Sequence, residues 1–261
     1  MYGGNRDPAR RHTVERRDFA GWPVYRITPR TGESTGELLY LHGGGYVAPI
    51  HTVHWDFVAR LAGMTGRAVT LPDYPLTPAH NHRDVFPVLG RLYEKVAEGE
   101  TSSSSFTVMG DSAGATMGLA LVQSLPYNRR PGNLILMSPW LDATLTNPEI
   151  PAIQPTDPMS TVSGLTELAR MWAGPDDLAT PELSPINGPL DRLGRVTVFA
   201  GSRDILTPDA RRLAELATGA AGTNLVLREY EDMTHTWMLT QPGPAADAVL
   251  AEITGLLRRY R

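Results

Sequence analysis

Seven short apolar runs, separated by longer segments with helical spacing, restrict how this chain can fold more than any other feature. The runs are residues 23–28, 37–42, 67–72, 105–110, 133–138, 195–201 and 224–230. Most are continuously apolar rather than alternating, which is typical of strands covered on both faces. Apolar residues three and four positions apart predict helices at 53–66, 83–99, 209–222 and 246–260. This alternation predicts an α/β protein with a mostly parallel central sheet and helices on both faces.

Composition excludes several classes of function. The chain has 261 residues, of which 41% are hydrophobic and 20% charged, as in an ordinary globular protein. With no cysteine, it can form neither a disulfide, nor a thiolate metal site, nor a cysteine nucleophile. A net charge of −4 provides no general attraction to nucleic acid or to an anionic membrane. We therefore expect neither a nucleic-acid partner nor stable membrane association.

The sequence shows neither a secretory signal nor a membrane-spanning segment, and the expected cellular location follows from this. Residues 1–19 are charged and have no apolar core, so they do not resemble a secretory signal. No window approaches the ~20 apolar residues that a membrane-spanning helix needs. These features predict a soluble, cytoplasmic protein.

Residues 141–193 break the alternation of strands and helices. The segment is rich in proline and poor in strand signal, with one helical piece near 160–172. A connection of this length is usually a functional lid or binding loop, although a disordered linker is the simpler alternative. Leu165, Leu168, Met171 and Trp172 could bury one face of the helical piece, which favours an ordered lid.

Ser112 lies in the sequence Gly110-Asp-Ser-Ala-Gly114, between a predicted strand and a predicted helix. This G-x-S-x-G pattern is that of a nucleophile elbow, a sharp turn that lifts a serine hydroxyl above the sheet. Side chains at positions 110 and 114 would collide with the neighbouring strand and helix. The alternative, a tight turn in which the glycines serve packing alone, is less consistent with this strand–turn–helix context.

A second motif, His42-Gly-Gly-Gly45, follows the predicted strand at 37–42. Consecutive glycines expose backbone N–H groups to a ligand oxygen. In lipases and esterases a loop of this type contributes to the oxyanion hole, together with the N–H that follows the nucleophile. Here that partner N–H belongs to Ala113. A flexible glycine turn is the alternative, but two motifs in the right order favour catalysis.

A serine nucleophile needs a base and an acid that orients the base. Among seven histidines, only His235 follows the last predicted strand. In the chain order Ser…Asp/Glu…His, the acid should lie between Ser112 and His235, just after a strand. Asp204 meets both conditions, and Asp209, at the start of the next helix, is a distant second. Asp111 adjoins the serine and cannot reach the histidine.

With these motifs, the chain resembles the hormone-sensitive-lipase-like branch of the α/β-hydrolase esterases. The matching pieces are "HGGGY", "DYPLTPA", "GDSAG", "SPWLD", "GSRDIL" and "MTHTW", in the family's order. The resemblance implies a single α/β-hydrolase domain over residues 1–261, with cap elements at about 1–22 and 141–193. The sequence departs from the family at Ala115, where a glycine is common, and at "PLTPA", where "RLAPE" is common.

By position, the resemblance makes Ser112 the nucleophile, Asp204 the acid and His235 the base. The N–H groups of Gly44, Gly45 and Ala113 would form the oxyanion hole, with Gly43 ranked below them.

The implied function is hydrolysis of short-chain acyl esters through an acyl-enzyme, with no metal or organic cofactor. The expected partner is a small-molecule ester, and a homo-oligomer is possible. Two alternatives stay open: an amidase or aryl-formamide hydrolase with the same triad, and a non-catalytic ligand-binding protein of this fold.

Overall fold

A mixed sheet forms the centre of the computed structural model, which describes residues 12–30, 34–98 and 105–259. Within this part of the chain the sheet has eight strands, in the order β1-β2-β4-β3-β5-β6-β7-β8. Their bounds are β1 His12–Phe19, β2 Trp22–Pro29, β3 Glu37–Leu41, β4 Ala68–Pro72, β5 Thr107–Asp111, β6 Asn133–Met137, β7 Gly194–Gly201 and β8 Thr223–Tyr230.

All seven predicted strands are present, as β2 to β8, and β3 to β8 run parallel as expected. The sequence pattern did not predict β1, which pairs antiparallel with β2 at the edge of the sheet. Most of its side chains are exposed and many are charged, so it lacks an apolar pattern. It forms because its backbone pairs with that of β2, and this pairing leaves no pattern of apolar side chains within β1 itself.

Helices cover both faces of the sheet, as predicted. Their bounds are α1 Thr52–Thr65, α2 His82–Ala97, α3 Ala113–Ser124, α4 Ile150–Ile153, α5 Val162–Ala173, α6 Thr207–Leu216, α7 Trp237–Thr240 and α8 Pro244–Arg259. Helices α1, α7 and α8 pack on one face with one hydrophobic cluster. Helices α2, α3 and α6 pack with a second cluster on the other face. Among the described residues, no helix is long and apolar enough to cross a membrane.

The proline-rich segment 141–193 forms α4, α5 and short 3-10 turns, without a strand. Trp172, Leu183 and Ile186 within it are buried and join the core that contains α2 and α3. Helix α5 corresponds to the helical piece predicted near 160–172.

The predicted N-terminal cap element at 1–22 is wrong for residues 12–22. These residues form β1 and the start of β2 within the central sheet. The prediction took a charged segment for part of a cap because edge-strand pairing leaves no apolar signal. Residues 1–11 lie outside the described part of the chain.

Candidate active site

Ser112 lies in a sharp turn between the end of β5 and the start of α3. Its backbone has φ 49° and ψ −123°, a conformation that residues with side chains rarely adopt. The N–H of Ser112 donates to the carbonyl oxygen of Met137 over 2.8 Å, which holds the turn against the end of β6. This is the geometry of a nucleophile elbow, in which the surrounding structure maintains a strained serine.

The two glycines of the elbow provide the space that its tight packing requires. A Cβ on Gly110 would lie 2.6 Å from the backbone carbon of Gly114 and 2.7 Å from the carbonyl oxygen of Leu41. A Cβ on Gly114 would overlap the same Leu41 oxygen and lie 2.5 Å from that of His42. The expected collision with the neighbouring strand and helix is confirmed.

We expect Gly114→Ala to destabilise the protein by about 3 kcal/mol or more, because the overlapping atoms are backbone atoms that cannot rotate away. Gly90→Ala is a matched control inside α2, where a Cβ would meet no atom within 4 Å. The control should gain up to about 1 kcal/mol from higher helix propensity. Urea unfolding of both variants measures the difference. Wild-type stability of Gly114→Ala would contradict the elbow packing.

Ser112, His235 and Asp204 form a continuous chain of hydrogen bonds. Nε2 of His235 lies 2.8 Å from Oγ of Ser112, and Nδ1 lies 2.7 Å from Oδ2 of Asp204. Because an ionised carboxylate only accepts hydrogen bonds, Nδ1 carries the imidazole proton and donates a hydrogen bond to Asp204. Nε2 is then free to accept a hydrogen bond from the serine hydroxyl. The structure therefore brings together the three residues that the sequence predicts as nucleophile, acid and base.

Each member of this chain is held by its own loop. Oδ1 of Asp204 accepts from the N–H of Leu206 at 3.0 Å, which fixes the carboxylate after β7. The N–H of Thr236, next to His235, donates to Oγ of Ser138 over 3.0 Å. Sequence reasoning missed Ser138, because its partner is 98 residues away and no local pattern indicates the contact.

The charges around His235 favour its protonated form. Burial lowers the pKa of His235, but the attraction and hydrogen bond of Asp204 outweigh burial, and Asp157 and Asp111 add smaller contributions. The pKa of His235 is therefore raised above its ordinary value. An imidazole in this environment is a stronger base toward the serine hydroxyl.

Asp209, the second candidate for the acid, lies in the first turn of α6, and its side chain is fully buried. Its Oδ1 accepts from Nδ2 of Asn147 at 2.9 Å, a contact with the proline-rich segment. Burial raises the pKa of Asp209 to about 6. The hydrogen bond to His235 comes from Asp204 and not from Asp209.

The glycine loop that follows β3 presents its backbone toward the elbow. Gly44 and Gly45 have φ values of 115° and 59°, which glycine adopts without strain. The N–H groups of Gly44, Gly45 and Ala113 have no acceptor within the described parts of the chain. These groups are free to bind an oxyanion.

Gly43 is a correction to the predicted oxyanion hole. Its N–H donates to Oδ1 of Asp111 over 3.0 Å, so it is not available to a substrate oxygen. The sequence motif does not show which N–H groups are already bound, because the partner of each N–H depends on tertiary contacts.

Asp111 is a buried carboxylate that holds the glycine loop from behind. It accepts from the Gly43 N–H and, at 2.7 Å, from the hydroxyl of Tyr40. Nε2 of His54 lies 3.5 Å from its other oxygen. Burial raises the pKa of Asp111, but the bonds and charge of His54 and the bond from Tyr40 outweigh burial and lower it overall. As predicted, Asp111 makes no hydrogen bond to His235, and its function as a loop anchor was missed.

His42, the first residue of the HGGG motif, packs in the interior beside the glycine loop. Its ring is fully buried and stacks on Tyr74 with the centroids 4.2 Å apart, and its Nδ1 lies 2.7 Å from the carbonyl oxygen of Gly43. Burial lowers the pKa of His42 to about 4, so the ring is neutral near pH 7.

The described residues contain no group of three or more side chains that could hold a metal ion.

Helix α5 packs directly on the glycine loop. The rings of Trp172 and Tyr46 stack with their centroids 4.3 Å apart and an interplanar angle of 1°. A Cβ on Gly45 would lie 2.7 Å from Cδ1 of Leu168. Helix α5 therefore lies against the glycine loop through Leu168 and Trp172.

A family model described as the alpha/beta hydrolase fold matches residues 38–239. The match spans most of the chain and includes the elbow, the glycine loop and all three members of the hydrogen-bonded chain. The chain therefore belongs to the α/β-hydrolase family. Within that family it is one of the hormone-sensitive-lipase-like esterases, which confirms the resemblance drawn from the motifs.

Three relatives of known name are an esterase, an acetyl-hydrolase and a lipase. An esterase of Acinetobacter venetianus is 29% identical over 84% of this chain and 74% of its own length. An acetyl-hydrolase of Streptomyces hygroscopicus is 27% identical over 85% of this chain and 75% of its own length. A triacylglycerol lipase of Mycobacterium tuberculosis is 30% identical over 88% of this chain, which spans 48% of the lipase.

The fold also matches solved structures of esterases. The crystal structure of an esterase from the bacterial hormone-sensitive lipase family superposes with a TM-score of 0.89 and 27% identity, over 95% of this chain and 84% of that chain. Together with the family match, this identifies the chain as an esterase-type enzyme of the α/β-hydrolase superfamily and confirms the predicted fold class.

Proposed function

We propose that the protein is a serine carboxylesterase that hydrolyses short-chain acyl esters through an acyl-enzyme on Ser112. The observation that carries this proposal is the hydrogen-bonded chain from Ser112 Oγ through His235 to the Asp204 carboxylate. Such a chain activates a serine hydroxyl, because the imidazole accepts its proton while the carboxylate stabilises the imidazolium.

In the first half of the reaction, Ser112 Oγ attacks the ester carbonyl carbon as Nε2 of His235 accepts its proton. The imidazolium then gives this proton to the leaving alcohol oxygen, and the acyl group remains on Ser112. In the second half, Nε2 accepts a proton from water, whose oxygen attacks the acyl carbon. The imidazolium returns the proton to Ser112, and the carboxylic acid leaves.

Backbone N–H groups stabilise the negative oxygen of each tetrahedral intermediate. Gly44, Gly45 and Ala113 supply these donors, which have no competing acceptor within the parts of the chain described. Such a donor contributes about 3–4 kcal/mol to transition-state stabilisation in related sites. Gly43 contributes indirectly, because its bond to Asp111 fixes the start of the loop.

A fluorophosphonate probe tests the serine mechanism directly. The wild-type protein should form a covalent adduct at Ser112, detected by intact mass and by peptide mapping, and lose esterase activity in proportion. His235→Ala should label far more slowly, because its serine has no base. An unlabelled, active wild-type protein would disprove the serine mechanism.

We expect kcat/KM to peak at acyl chains of about two to eight carbons and then fall. Each buried methylene adds about 0.8 kcal/mol until the pocket is full. Helix α5 packs closely on the glycine loop, which supports a short pocket. The acetyl-hydrolase relative favours the same preference.

A series of p-nitrophenyl esters from acetate to palmitate measures the chain-length preference. The triacylglycerol lipase relative represents the competing expectation. Activity that rises up to sixteen carbons, or that increases once the substrate forms droplets, would show an interfacial lipase instead. Matched amides of the best acyl group would reveal an amidase if they were turned over at a comparable rate.

The predicted cytoplasmic location, the homo-oligomer and the cap function of residues 141–193 stay predictions.

A further inference from the structure

Asp157 forms part of the contact between the proline-rich segment and the loop that carries Asp204. Its Oδ2 accepts from the N–H of Ile205 at 3.0 Å, and Ile205 directly follows Asp204. Its Oδ1 accepts from the N–H groups of Met159 and Ser160 at 2.8 and 3.0 Å, so both oxygens are held. The Asp157 carboxylate therefore has a fixed position beside the loop that follows β7 and carries Asp204, here called the acid loop.

A second contact holds the same two segments together. Nε and Nη2 of Arg203 donate to the carbonyl oxygen of Thr156 over 3.1 and 3.0 Å. Arg203 and Ile205 flank Asp204, while Thr156 and Asp157 are adjacent in the proline-rich segment. The residues on either side of Asp204 are thus both bound to one short stretch outside the sheet.

We propose that Asp157 is a positioning residue of the esterase, which holds the Asp204 loop and adds a second negative charge that stabilises the His235 imidazolium. This inference rests on the proposed function. Asp157 touches neither the serine nor the imidazole in a hydrogen bond, and it acts through the loop and through its charge. Its effect should appear in kcat rather than in binding, because the imidazolium forms only during the reaction.

The charged groups that act on His235 come from several elements. Asp204 follows β7, Asp157 lies before α5, and Asp111 ends β5. Arg203 is the nearby cation in the acid loop, and the Thr156 carbonyl holds its guanidinium. Burial and Asp204 have the largest effects on the pKa of His235. The negative charge of Asp157 has the next largest effect, and it raises that pKa. Removing the Asp157 charge should therefore lower the pKa of His235.

The test compares Asp157→Asn with Asp177→Asn. Asp177 is a matched control, because its carboxylate accepts from the N–H of Ala179 at 3.0 Å in a similar turn of the same segment. The pKa of His235 is read from imidazole 1H–15N NMR spectra, with its signals assigned by their loss in His235→Gln. The pH dependence of kcat for p-nitrophenyl butyrate is measured in parallel.

In Asp157→Asn we expect the pKa of His235 and the acid limb of kcat to move to lower pH. At the pH optimum kcat should fall about two- to fivefold with KM unchanged, the size expected for one partly exposed charge. Asp177→Asn should behave as wild type. An unchanged His235 titration in a folded Asp157→Asn protein would overturn the proposal and leave Asp157 as a structural contact only.

Asp157→Ser serves the same test if the asparagine variant does not fold, because its small hydroxyl can still accept from the turn. The NMR titration needs no catalytic activity. If wild type hydrolyses no ester, the proposed function fails, whereas the effect of Asp157 on His235 is still measured. If wild type is an active esterase and the titration of His235 does not move, the positioning inference alone fails.

Discussion

Ser112→Ala should leave the protein folded and lower kcat on a small ester by at least ~10³-fold, because the variant keeps only the oxyanion donors and substrate binding. The strained turn does not depend on the hydroxyl, since the backbone N–H of Ser112 is bound to Met137 and the glycines supply the space. Initial rates with p-nitrophenyl butyrate and single-turnover experiments measure the loss.

Circular dichroism and urea unfolding provide the control for Ser112→Ala. Its circular dichroism spectrum should match that of the wild type, and its free energy of unfolding should differ from the wild-type value by less than about 1 kcal/mol. The fluorophosphonate adduct should also disappear. Near-normal turnover by the purified variant, after contamination is excluded by mass spectrometry, would remove Ser112 from the mechanism.

Asp204→Asn should lower kcat by about 10³- to 10⁴-fold. An asparagine amide can donate to Nδ1, which favours the tautomer whose proton lies on Nε2, and that nitrogen can then no longer accept from Ser112. The fully buried position of Asp204 increases the effect, since water cannot replace the lost charge. The measurement is kcat for a short ester near the pH optimum.

Asp209→Asn is the matched control, because it makes the same chemical change in another fully buried aspartate five positions along the chain. The asparagine oxygen can still accept from Asn147, and no bond to His235 is lost. We expect kcat within a few-fold of wild type and an unfolding free energy changed by about 1 kcal/mol, the size of a first-turn helix effect. Equal losses in the two variants would show that the acid is wrongly assigned.

Local pattern was enough to find most of the sheet. Strands such as β5 and β6 are short, fully buried and mostly apolar, and this composition is visible in the sequence. The edge strand β1 was missed because its side chains are largely exposed and polar. Its strand conformation comes from backbone pairing with β2, which does not require apolar side chains.

Most of the candidate site was also predicted from local sequence patterns. Ser112 was found because an elbow needs two glycines at fixed spacing, and His235 and Asp204 because each follows a late strand. Gly43 was misassigned because its N–H is bound by a carboxylate 68 residues away. Asp157 gave no local signal, and the family-matching piece "SPWLD" contained Ser138 without showing its contact, since each residue bonds to a loop distant in sequence.

The sequence by itself identified Ser112, Asp204 and His235 as the candidate catalytic residues, because strand, turn and nucleophile requirements are local and show in residue type and spacing. Only the tertiary structure decided which N–H groups of the glycine loop stay free, whether the Asp204 carboxylate reaches the imidazole, and which further charge lies beside it. Those outcomes depend on distances between segments far apart in the chain, where a shift of about 1 Å makes or removes a hydrogen bond.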